Sequence, residues 1–170
     1  MNRKALIVSV LISIAALTAV AAITPIDLAQ LREVTAPFHN PELARNAGYD
    51  LVAGLDSCFE NPGVGGMGFH YIDTAELSNT ALNLLRPEAL VYIPSPNGLQ
   101  LGAVEYIVRQ DLWDGAGNTQ PPSLNGVSLH LEPSLGVYTL HVWVWRNNPA
   151  GMFEDFNPAV PSARKMNPKS

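Results

Sequence analysis

The run Val137-Tyr-Thr-Leu-His-Val-Trp-Val-Trp145 constrains the fold more than any other stretch of the chain. Its β-branched and aromatic side chains lose rotamer freedom on a helix but pack well on a pleated surface. It therefore reads as a strand, and a strand needs partners. Glu88–Ile93 and Leu99–Arg109 supply two, separated by Pro94-Ser95-Pro96-Asn97-Gly98. Asn-Gly between apolar runs is a strong hairpin signal. Gly68–Ile72 reads as an earlier strand and Val127–Leu131 as a short one.

Upstream the signals are helical. Thr24-Pro25 offers a cap and an N1 proline, with Asp27 in the positive first turn and an end near Val34. Asn40-Pro41-Glu42 repeats the pattern, and Leu43, Ala47, Leu51 and Gly54 then fall on one helical face. Asp56–Gly68 and Asp111–Gly126 read as loops, and Thr74–Leu85 as a polar excursion with one helical turn. Helices followed by strands define an α+β class. The expected architecture is N-terminal helices packed on a curved antiparallel sheet of four or five strands. The expected domain spans residues 23–160, with residues 161–170 a disordered tail.

The N-terminus carries Arg3 and Lys4, then 19 uncharged residues from Ala5 to Ile23, and the small-x-small triplet Ala19-Val20-Ala21. That order is the grammar of a cleaved export signal over residues 1–22. An uncleaved anchor is the rival reading, since such a run is borderline for a hydrocarbon core of about 30 Å. The expectation is an exported protein, periplasmic or extracellular, with no membrane span once the signal is removed. Oligomeric state is left open.

With 170 residues and 47% apolar content the chain can bury one core. Its net charge of −5 becomes −7 when Arg3 and Lys4 leave with the signal. That balance argues against nucleic acid, which demands a basic face. A single cysteine, Cys58, excludes an intramolecular disulfide and every multi-cysteine metal framework. Asp56 and Glu60 are its nearest charges, so nothing local activates the thiol, and it reads as a small buried hydrophobe. The glycine-rich run Gly63–Gly68 precedes a strand and lacks the helix N-terminus that a phosphate loop requires. It reads instead as permission for close backbone approach or a tight turn.

Candidate chemistry rests on three mid-strand polar residues. Alternation places His70 with Gly68 and Ile72, Glu105 with Ala103 and Ile107, and His141 with Thr139, Trp143 and Trp145. A carboxylate among apolar neighbours is costly without a partner. If the three strands are neighbours, His70, Glu105 and His141 converge, with His39 as a fourth ligand from the helix side. Two imidazoles and a carboxylate suit a divalent zinc, iron or manganese ion. Trp143 and Trp145 would wall a pocket for a small-molecule ligand. The same residues admit a metal-free pocket, an enzyme using His141 or His70 as base, or a non-catalytic network that only fixes strand register. His130 and Glu132, on a short strand beside loops, read as solvated.

Gly66-Met67-Gly68-Phe69-His70-Tyr71 and the run His141-Val-Trp-Val-Trp-Arg-Asn-Asn-Pro-Ala-Gly-Met-Phe153 together resemble a group of exported bacterial proteins. Glu88–Tyr92 and Val104-Glu105-Tyr106 fit the same pattern, so the resemblance runs from about Thr35 to Val160. It implies an exported bacterial origin and carries no activity. The two histidines one residue apart that mark metal-binding cupins are missing. Two functions stand at this point: a metal- or ligand-binding domain, with a metal-dependent enzyme as one form of it, and a structural or interaction module.

Overall fold

The structure is a computed structural model, which describes residues 26–160. The export signal expected over 1–22 and the tail over 161–170 lie outside the described residues. Helix α1 is Leu28–Thr35. Asp27 caps it, accepting from the amides of Ala29 and Gln30, so this acid stands at the cap and not inside the first turn. Helix α2, Pro41–Asn46, starts as expected on Asn40, whose side chain accepts from Glu42 N. It stops well before Gly54. Gly48 at φ +106 turns the chain, leaving Leu43 exposed and Ala44 buried.

Among the described residues nine strands follow: β1 Asp50–Leu51, β2 Phe59–Asn61, β3 Gly65–Ile72, β4 Ala89–Ser95, β5 Gly98–Arg109, β6 Ser123–Leu124, β7 Val127–Ser128, β8 His130–Glu132 and β9 Val137–Val142. A short helix α3, Gln110–Gly115, lies between β5 and β6. The main sheet has seven strands, more than the expected four or five, in the order β1-β3-β4-β5-β9-β8 with β2 also on β3. All its pairings are antiparallel. The additional strands are short edge pieces. β1 and β2 share the outer edge of β3, one beside Tyr71 and Ile72, the other beside Gly65–Gly68. Two- and three-residue strands lack the length for a readable alternation. The β4–β5 hairpin bends between Ser95 and Gly98, as the Asn-Gly signal predicts. No helix among the described residues is long and apolar enough to cross a membrane.

A bulge at Gly102 decides which residues face which side. Val91 pairs with Ala103 but Tyr92 pairs with Leu101, so Gly102 is the extra residue. Before it, Leu99 and Leu101 face the helices; after it, Val104, Tyr106 and Val108 do. Ala103, Glu105 and Ile107 consequently face the other side. The helix-side core is rich in tyrosine, and three of the buried hydroxyls reach a backbone carbonyl. Tyr49 donates to Pro87, Tyr92 to Phe38 and Tyr106 to Leu84, at 2.9, 2.6 and 2.6 Å. These bonds pin the helical layer and the 74–88 excursion onto the sheet.

The opposite face is covered by the chain after β9. Asn157 exchanges backbone hydrogen bonds with Gly66, and Val160 packs beside Val91, Ile93, Ala103 and Trp143. The glycine run permits this approach: a Cβ on Gly65 would collide with the Asn157 carbonyl, and one on Gly66 would stand 2.9 Å from Val160. On this face a second apolar cluster of Ile72, Ala89 and Ile107 lies apart from the first, and polar residues occupy the sheet between them.

Candidate metal centre

β3, β5 and β9 place His70, Glu105 and His141 on the face away from the helices, all three buried. Glu105 and His141 are direct cross-strand partners. His70 stands two strands away, opposite Val91 on β4. The row through Glu105 contains Ala89, whose methyl group leaves space for the His70 ring to lean across. His70 Nε2 lies 3.2 Å from His141 Nε2 and 3.5 Å from Glu105 Oε2. One ligand atom from each residue falls within 4.8 Å of the others. Atoms bound at 2.0–2.2 Å around a tetrahedral ion stand roughly 3.3–3.5 Å apart, so little movement separates this arrangement from a coordination shell.

Asp155 completes the cluster, and sequence reasoning misses it. Its Oδ1 lies 3.2 Å from His141 Nδ1, and its Oδ2 lies 3.0 Å from His130 Nε2. A carboxylate behind a ligating imidazole fixes the ring and its tautomer, leaving the other nitrogen free to bind. His130 also meets Thr139 Oγ1 at 3.2 Å, so it belongs to a chain of partners although it is half exposed. Asp155 sits in a turn-rich segment without periodicity, and its only sequence signal is an acid between Phe153 and Phe156.

Charge is unevenly shared within the cluster. Burial and the adjacent His141 push the His70 pKa down to about 3, so its imidazole is neutral. Burial also opposes a charge on His141, but Glu105 and Asp155 outweigh it and raise that pKa. Burial raises Glu105, with His141 acting in the opposite sense. Burial works against the Asp155 carboxylate as well, yet its bond to His141 holds the pKa below the ordinary range. The contact between the two Nε2 atoms needs one ring to donate and the other to accept, and where His141 donates, His70 carries its proton on Nδ1. That Nδ1 is buried without a hydrogen bond of normal geometry, although the nearby Gly68 carbonyl favours a proton there.

The cluster forms one wall of a cavity of about 380 Å³. Phe59 stands edge-on to His70 with 5.3 Å between ring centres. Met67, Ile107, Val137 and Phe156 supply further apolar surface. Trp143 and Trp145 both lie outside this lining. Trp143 stacks on His141, 6.4 Å between centres, and donates to Glu154 O. Trp145 leaves the face altogether: β9 ends at Val142, the amides of Trp145 and Arg146 bond the carbonyl freed at the Gly102 bulge, and Trp145 donates to Thr35 Oγ1. Strict alternation fails there because the strand has already ended. His39 is likewise not in the cluster. It ends a 3₁₀ turn on the helix side and packs edge-on against Trp145 at 4.3 Å.

No protein-family model matches the chain, and neither curated proteins nor solved structures show a significant similarity to it.

Proposed function

We propose that His70, Glu105 and His141 hold a divalent transition metal, zinc or iron(II), and present it to a small molecule in the adjoining cavity. The observation that carries this reading is the convergence of two imidazole nitrogens and a carboxylate oxygen within 4.8 Å, buried and facing an apolar cavity. Structural zinc sites use four protein ligands, whereas three leave a position for water or substrate. Two histidines and one carboxylate also suit iron(II). Three ligands beside a cavity therefore favour a metal-dependent enzyme over a purely structural ion. The export signal read in residues 1–22 would place the site outside the cytoplasm.

Cobalt(II) titration of the metal-free protein tests the proposal, because cobalt reports coordination in its visible spectrum. Saturation at one equivalent, with intense bands of a four- or five-coordinate site lost in Glu105→Gln, is the expected result. A second reading has its own support: the His70–His141 and His141–Asp155 contacts, both 3.2 Å, join the buried groups without an ion. In that case the cluster only fixes strand register. Cobalt and zinc would fail to bind, and Glu105→Gln would change thermal stability alone.

A further inference from the structure

We infer that the cavity beside the His70–Glu105–His141 cluster takes an uncharged, mainly apolar molecule with a single donor atom, and discriminates against carboxylates and phosphates. This inference rests on the metal-site reading and specifies its ligand. Three observations support it. First, among the described residues the lining carries no lysine or arginine. Second, its ionisable members beyond the metal cluster are Glu60, Glu132, Asp155 and His130, and His130 is already paired with Asp155 at 3.0 Å. An anionic ligand would thus meet acidic side chains and no unengaged cation. A divalent ion would be largely neutralised by Glu105 and by Asp155 behind His141, so little net positive charge would remain to attract an anion. Third, the remaining walls are hydrocarbon, aromatic or thioether apart from the hydroxyls of Ser134 and Thr139, which already meet Glu132 and His130, and the volume of about 380 Å³ lies near the small end of ligand sites. Glu60, His130, Ser134 and Leu135 are the exposed members of the lining and mark where the cavity meets solvent. A ligand entering there would place its apolar body against Phe59, Ile107 and Phe156 and its donor atom toward the three metal ligands.

Calorimetric titration of the zinc-loaded protein at mildly alkaline pH tests this with four probes: imidazole, 4-phenylimidazole, benzoate and phenyl phosphate. 4-Phenylimidazole should bind roughly ten- to a hundredfold tighter than imidazole, because its ring is buried. It should also bind at least tenfold tighter than benzoate or phenyl phosphate. Leu135→Arg adds a cation at an exposed lining position and should narrow the gap to benzoate severalfold without unfolding the protein. Benzoate or phenyl phosphate binding as tightly as 4-phenylimidazole would overturn the inference. So would equal affinity for imidazole and 4-phenylimidazole. Failure of the metal reading is distinguishable, since the protein would then retain no zinc. On that metal-free protein, saturable toluene binding with exclusion of benzoate would uphold the uncharged apolar class, and no toluene binding would overturn it.

Discussion

At the scale of single residues, the arrangement behind His141 matters as much as the proposed metal ligands. Asp155 is not one of the three residues whose ligand atoms converge, yet it holds the His141 ring by Nδ1. Asp155→Asn should lower zinc affinity by roughly 10–100-fold with an unchanged fold, measured by competition against a chelating dye. Glu88 presents a different buried carboxyl, accepting from Ile107 N at 3.0 Å. Burial pushes its pKa up to about 7, above its ordinary 4.5, although the Ile107 amide works the other way. The native state therefore binds this proton more tightly than the unfolded chain. Glu88's unfavourable contribution is absent below pH 4.5, grows as pH rises, and is fully expressed above about 7. Glu88→Gln should remove up to about 3 kcal/mol of that loss and flatten the stability profile between these limits, measured by urea unfolding across pH.

At the scale of elements, the Gly102 bulge and a glycine run set the face on which the polar residues lie. Alternation along Gly68–Ile72, Ala103–Arg109 and Val137–Val142 is enough to give the facing of His70, Glu105 and His141, because each lies inside a regular pleat. Their convergence needs strand order, which depends on pairings between distant segments and leaves no local trace. Asp155 and Phe59 escape a sequence reading for a related reason: one lies in a turn and the other in a three-residue edge strand. Trp145 misleads because the strand stops at Val142, where the carbonyl freed by the Gly102 bulge captures the next amides. The caps of the helices are readable at α2, where Asn40-Pro41-Glu42 acts as its residue types require. Gly68 supports the position of His70, with φ +119 and space so limited that a Cβ would come 2.5 Å from Tyr92 O. Gly68→Ala should cost about 2 kcal/mol or more in thermal or urea unfolding and weaken zinc binding, because β3 must shift away from β4.

At the scale of the whole molecule, the sheet has an assigned face and a hollow one. Helices and tyrosines fill the first, whereas the second keeps a cavity beside three buried ionisable groups. Such a face carries a cost, since desolvated charges resist burial without compensation, and the proposed metal ion would offset it. Zinc at a hundredfold excess over its dissociation constant should add about 2.7 kcal/mol and raise Tm by roughly 10 °C in calorimetry, reversed by a chelator. The most direct test of the central claim is elemental analysis of the protein purified without chelator, beside Glu105→Ala and His141→Ala. The account predicts close to one zinc or iron per chain in the parent protein and loss of that metal in both variants. A parent protein that stays metal-free after exposure to zinc, iron(II) and manganese, with variants that merely melt earlier, would contradict it.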